Sequence, residues 1–160
     1  MIALLVEEAM DEVRSMMRAQ FNANLSLIYT AKGDSTVNLD RVPNNNYYFS
    51  EAIEPLRPPA IFIVSDRTGF DLNFQNANVQ THDVLVAALV EDVEQQRLTK
   101  KVWRYAAAIH ATLHDQGTMN IRVLVTGMDY GATAGMRTTG TGRTFRTSVT
   151  VRCKILHAEL

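Results

Sequence analysis

The sequence predicts an α+β fold: a mainly antiparallel or mixed β-sheet packed against two α-helices. Three observations predict it. Apolar residues recur at helical spacing near the N-terminus and again after residue 93. Strand-like apolar runs, alternating or continuous, lie between and after these stretches. The resulting order of helix, strands, long helix and two strands lacks the regular alternation of a parallel α/β fold. A chain of 160 residues, 46% hydrophobic and 21% charged, is sized for one domain whose core needs no disulfide. The expectation is a single domain over 1–160 with no internal repeat or linker.

The first helix is expected over about 2–21. Ile2, Val6, Ala9, Val13 and Met16 form its stripe, and Met10, Met17 and Phe21 widen it. Glu7, Glu8, Asp11 and Glu12 load its first half with acid, which complements the helix dipole. "LSLIYTAKGD" then reads as a strand ending at Gly33. An irregular excursion, about 34–59, follows; it is rich in Asn and Pro, and its Tyr47, Tyr48 and Phe49 must pack on this chain or on a neighbour. "AIFIVSD" reads as a short strand stopped by a turn at "DRTG", and Phe70, Leu72 and Phe74 alternate after it. "DVLVAALVED" is apolar on both faces and suits a central strand, with helices on one side and a subunit or another element on the other.

The second helix is expected over about 93–115. Asp92 with Gln95 resembles a capping box, and Gly117 reads as its left-handed stop. Leu98, Val102, Ala106, Ile109 and Leu113 make one stripe along it. Two alternating strands follow, joined by a long Gly/Thr loop at about 129–143. In the last strand Phe145, Val149, Val151, Cys153 and Ile155 share one face, and Arg146, Ser148, Thr150, Arg152 and Lys154 share the other.

Sixteen basic residues against seventeen acidic ones give a formal charge of −1, so no global field draws in nucleic acid or an anionic membrane. The single cysteine, Cys153, forms no internal disulfide and reads as a buried small hydrophobe. No apolar run approaches the roughly 18 residues of a membrane span. The opening "MIALLVEEAMDEV" turns acidic where a signal peptide would stay apolar, so the expectation is a reducing cytoplasm and no membrane partner.

His110 and His114 lie four apart on the second helix and are the one candidate for metal chemistry. A zinc protease needs a glutamate directly after the first histidine, and that position is Ala111. Both histidines fall beside Trp103 and Ala107 at the border of the apolar stripe and read as structural residues. The sequence holds no nucleophile elbow and no paired carboxylates at a strand end, so no catalytic residue, metal or cofactor is assigned. A small metal-dependent enzyme using His110 and His114 is the alternative from a different class. The G-x-G of the 129–143 loop leads into a strand, not a helix N-terminus, and so fails the context of a phosphate cradle. That loop reads instead as a docking projection carrying Arg137 and Arg143. Arg97, Lys100, Lys101 and Arg104 give the second helix a basic face, with Arg97, Lys101 and Arg104 as a candidate subunit interface to Glu7, Glu8, Asp11 and Glu12 of a neighbour. Arg146, Arg152 and Lys154 form a candidate basic row facing a lumen.

The strand "HDVLVAALVED" running into "RLTKKVWRYAAAIHATL", followed by two strands and an R-x-x-x-V-x-V-x-C-x-I ending, resembles the tail terminator (tail completion) proteins of long-tailed bacteriophages. The likeness covers about 60–157 and, more loosely, 1–30. It implies a structural, non-enzymatic virion protein that forms a homohexameric ring, caps the tail tube and joins the tail to the head connector. The partners it implies are copies of itself, the tail tube protein, the connector or neck proteins, and DNA passing through the lumen. It implies a place in the tail or neck of a virion assembled in the host cytoplasm. The excursion at 34–59 departs from the family's pattern, which keeps a head-completion or connector protein of the neck as the alternative.

Overall fold

The computed structural model describes residues 6–49, 57–71, 78–118, 120–131, 135–139 and 142–159. Along the chain run α1 (Val6–Lys32), β1 (Tyr47–Tyr48), β2 (Ala60–Asp71), β3 (Asn78–Asp92), α2 (Gln95–Leu113), β4 (Gln116–Gly117), β5 (Ile121–Tyr130), β6 (Gly135–Thr139) and β7 (Gly142–Glu159). The strands form one mixed sheet in the order β1-β2-β3-β7-β5-β4, with β6 added beside β7. Every pairing is antiparallel except the short parallel contact of β1 with β2. Both helices pack on one face, giving the expected α+β arrangement.

The first helix is longer than its first stripe predicts. Residues 2–5 lie outside the described residues, but the helix runs on to Lys32, through the stretch that reads as a strand. The burial stripe of Val13, Met17 and Phe21 continues to Leu25, with Ile28 half-buried. Tertiary contact overrides the strand propensity of "LSLIYT". The Phe21 ring packs on Tyr105 of α2 at 5.9 Å between centroids, and the Asn24 amide donates to Thr112 Oγ1 at 3.0 Å. Gly33 closes the helix at φ 60, a conformation that favours glycine.

The excursion after α1 is irregular but fastened. Asn22 makes two reciprocal bonds of 2.9 Å with the Val42 backbone, its Nδ2 donating to the carbonyl and its Oδ1 accepting from the amide. Val37, Leu39 and Val42 are buried, and the Tyr105 hydroxyl donates to the Asp40 carbonyl. Of the three aromatics that close the segment, Tyr47 is buried, Tyr48 stacks on Phe62 at 5.8 Å, and the Arg14 guanidinium lies 3.7 Å from the Phe49 ring centre. They pack on their own chain. Residues 50–56 of the excursion, and Leu72 and Phe74 of the expected alternation, lie outside the described residues.

"DRTG" does not stop β2. The strand passes it with a bulge at Asp66 and pairs with β3 as far as Asp71. On β3, Val84, Val86, Ala88 and Val90 point into the helices and are buried. The alternate residues Leu85, Ala87 and Leu89 face outward and are half-buried. The β7 alternation is as expected: Val149, Val151, Cys153 and Ile155 are buried, and burial pushes the Cys153 thiol up to about 12, so it stays protonated. Part of the expected 129–143 loop is a β-ribbon, because β6 pairs with β7 from Gly135↔Arg146 to Thr139↔Gly142.

The ends of α2 differ from the capping signals. Asp92 accepts the Glu94 amide at 3.0 Å in place of a capping box with Gln95, and the N-cap position, Glu94, makes no side-chain cap. The left-handed residue after the helix is Asp115 at φ 58, not Gly117. Gly117 belongs to β4, where the chain crosses itself so closely that a Cβ would lie 1.8 Å from the Ile121 carbonyl oxygen.

A buried polar cluster closes one end of the helix-facing side. His82 and His157 stand 6.0 Å apart between ring centroids, and Gln80 pairs with His157 across the strands. The Thr68 hydroxyl holds His82 Nδ1 at 2.9 Å, while His82 Nε2, His157 Nδ1 and Gln80 Oε1 are buried without a hydrogen-bond partner among the described residues. Burial, and then the neighbouring His157, lower the His82 pKa against a weaker opposing pull from Glu8.

This packing is open to two measurements. Gly117→Ala forces backbone apart and should cost about 2–3 kcal/mol in chemical denaturation. Gly127→Ala, with nothing within 4 Å of its Cβ, should stay within about 0.5 kcal/mol of the parent; equal effects would refute the close-packing account. His82 is neutral in the fold, so its contribution to stability is complete above the unfolded histidine value of about 6.5 and is lost as pH falls below it. The melting temperature should drop on acidification through that range, and His82→Gln should flatten the slope.

Candidate assembly surface

The sheet has helices on one side only. Its outer face is built from the residues that alternate with the core: Tyr48 on β1, Phe62 and Val64 on β2, Leu85, Ala87 and Leu89 on β3, then the polar residues of β7 and β5. The β1-β2-β3 half therefore carries an apolar block, flanked along the strands by Arg67, Asp83 and Glu91. Phe62 is only 7% exposed, because Tyr48 stacks on it. The β7-β5 half carries Arg146, Ser148, Thr150, Arg152 and Lys154 beside Arg122, Leu124 and Asp129. Among the described residues no helix covers this face.

Charges on the face are matched locally. Arg146 reaches its cross-strand partner Glu91 at 3.1 Å, and Arg152 reaches Asp129 at 2.8 Å. Asp83 sits between Arg67 and Lys154 in the register and pairs with Arg67 at 3.6 Å. Arg122 pairs with Asp115. The expected basic row is thus real as a row, with Arg146, Arg152 and Lys154 on one face, but two of its three charges are neutralised within the chain. At mid-height lies a shallow hollow of about 350 Å³ lined by Asp66, Asp83, Leu85, Thr126, Asp129 and Arg152. It marks the level where both flanking strands bulge, β2 at Asp66 and β5 at Thr126. Paired bulges at one level bend the sheet.

The structure does not bring the acidic end of α1 to the cations of α2 within the chain, and it commits those cations elsewhere. Lys101 Nζ lies 3.0 Å from Asp92 and 3.1 Å from the Glu91 carbonyl, and Arg97 Nε lies 3.0 Å from Asp92. Lys101 is buried and Asp92 half-buried, so this ion pair depends on its hydrogen bonds more than on solvent-exposed attraction. Desolvation works against the Asp92 carboxylate, but the Glu94 amide and the two cations outweigh it and lower its pKa. Arg104 binds Asp34 at 3.1 Å; the Thr36 hydroxyl first, and then Arg104, hold the Asp34 carboxyl down to about 2. Arg97, Lys101 and Arg104 therefore each anchor α2 to its own chain, through Asp92 and Asp34. Glu7, Glu8 and Asp11 remain exposed and Glu12 half-buried on α1. Arg137 and Arg143 lie on the β6–β7 ribbon, and their side chains lie outside the described residues.

The two histidines at the end of α2 are stacked at 4.7 Å, His110 half-buried and His114 exposed. His114 plays a structural part, because its Nδ1 accepts the Val125 amide at 3.1 Å and so covers a backbone donor at the edge of β5. Among the described residues no group of three His, Cys, Asp or Glu side chains is placed to hold a metal ion, and no helix is long and apolar enough to cross a membrane. Sequence reasoning missed Asp34, Asp92 and the edge-capping use of His114, since each depends on a partner distant in the chain or on an adjacent strand.

No protein-family description matches the chain, and no curated protein matches it. Among solved structures, a chain of the "Virion of native gene transfer agent (GTA) particle" aligns over 92% of this chain and 93% of its own, at 13% identity and a TM-score of 0.44.

His114→Ala should cost about 1 kcal/mol, the worth of one backbone hydrogen bond at a wet edge, and His114→Asn, whose Oδ1 sits where Nδ1 sits, should recover most of it. Equilibrium unfolding measures both. A zinc-dependent rise in the parent's melting temperature that His114→Ala abolishes would restore the metal reading.

Proposed function

We propose that the chain is a structural subunit of a phage-like virion, a ring-forming tail terminator or neck component without catalytic activity. In this reading it caps the tail tube and joins the tail to the head connector, in a particle assembled in the host cytoplasm. One observation carries it: the outer face of the sheet presents an apolar block, Tyr48, Phe62, Val64, Leu85, Ala87 and Leu89, over which no helix or second sheet lies among the described residues. A face of that kind is a contact surface for other copies or other proteins. The sequence pattern from "HDVLVAALVED" through "VWRYAAAIHATL" points the same way. Local neutralisation of Arg146 by Glu91 and of Arg152 by Asp129 also suits the reading. A face turned to a passing phosphate backbone must attract it weakly enough to let it slide.

Native mass measurement of the purified chain should give a closed oligomer, with six copies as the number the resemblance implies. Particles made without the protein should have heads and tails that fail to join, and tail tubes of uncontrolled length if the chain is the terminator. A stable monomer that binds zinc stoichiometrically would sink the proposal.

A further inference from the structure

We infer that the two unprotected edges of the sheet join copy to copy, β2 of one subunit pairing antiparallel with β5 of the next. The inference rests on the ring reading above and names the contact that would close the ring. Each outer edge is covered only in part. On β2, β1 pairs with Ile61 and Phe62, and among the described residues no strand covers that edge from Ile63 to Asp71. On β5, β4 pairs with Arg122 and Val123, His114 takes the Val125 amide, and no described strand covers the edge from Thr126 to Tyr130. Long free edges present rows of unpaired amides and carbonyls and act as templates for another strand.

Strand direction fits the join. β2, β3, β7 and β5 are each antiparallel to the next. A second copy turned about an axis along the strands therefore presents its β2 antiparallel to β5, and the alternation continues across the contact. The two edges are different surfaces, so the contact is head-to-tail, the kind that closes into a ring when the rotation allows. The free stretches sit at different heights, since Val64, Leu85, Arg152 and Gly127 share one level. Joining them needs a stagger of about four residues, roughly 13 Å, and closure of a tilted sheet requires such a shear.

The side chains match in kind. Arg67 and Asp129 both point to the outer face, and the Arg67 side chain is 81% exposed while it pairs with Asp83 at 3.6 Å. Phe70 and Tyr130 both point to the helix side of their edges and are 65% and 48% exposed. Edge pairing in that register sets Arg67 of one copy beside Asp129 of the next, with Phe70 and Tyr130 on the helix-facing side of the same seam.

The test uses charge exchange and cross-linking in the full chain. Arg67→Glu or Asp129→Arg alone should weaken self-association by about tenfold or more in sedimentation, and the two combined should restore it. Within one chain β2 and β5 are three strand spacings apart, about 14 Å, too far for a disulfide. Arg67→Cys with Asp129→Cys should therefore form only intermolecular bonds, giving a ladder of linked copies under oxidation. Each single cysteine variant should stop at dimers; Cys153 is buried and stays out of the reaction. An oligomer indifferent to both reversals, with no ladder, overturns the edge contact and leaves the ring reading standing. A parent chain that stays monomeric overturns both.

Discussion

The ladder between β3 and β7 is the constraint from which the rest of the molecule follows. It pairs every residue from Asn78 to Asp92 with one from Glu159 down to Phe145, without a bulge. That register places Val84, Val86 and Ala88 beside Cys153, Val151 and Val149 on one face, and Leu85 beside Arg152 on the other. A slip of β3 by one residue would turn Asp83 and Leu85 toward the helices and expose its valines. Each buried valine contributes about 1.5–3 kcal/mol relative to exposure, so the register is strongly specified. β2 and β5 build outward from this unbroken pair, and their bulges at Asp66 and Thr126 bend the sheet on either side of it.

Placement of the helices on one side then decides what the other side is for. The sequence of β3, apolar on both faces, is more than a two-layer fold needs. The surplus gathers with Phe62 and Tyr48 as an apolar half-face. The charges around it neutralise one another through Arg146–Glu91, Arg152–Asp129 and Arg67–Asp83. Such a face offers area and shape to another protein and little net field to a polyanion. Asp92 does the corresponding work at the core side, where one carboxylate takes Lys101, Arg97 and the Glu94 amide and fixes the turn from β3 into α2.

How much was legible varied with the kind of signal. The α2 stripe, the two faces of β7 and the buried state of Cys153 could be read directly, because each follows from a period within one element. The strand reading of "LSLIYTAKGD" failed because its β-like composition competes with contacts to α2 that only the folded chain supplies, Phe21 on Tyr105 and Asn24 on Thr112. Gly117 looked like a helix stop because glycine is the usual left-handed residue, yet Asp115 took that role and Gly117 serves a close crossing over Ile121. That the basic face of α2 has Asp92 and Asp34 as intrachain partners was not legible, because neither is visible as its partner until α2 is docked.

By itself the sequence determined the elements with a strong period, the single core and the absence of a global charge, since these depend on residues near one another in the chain or on composition. The tertiary structure alone decided which charges are free, which strand edges are bare and which histidine caps an amide. Those properties belong to pairs: Arg104 and Asp34 stand 70 residues apart, Arg146 and Glu91 stand 55 apart, and among the described residues only short strands cover the outer edges of β2 and β5. A period in the chain fixes which way a side chain points. What it meets there is set by the neighbouring element, and no local pattern encodes that neighbour.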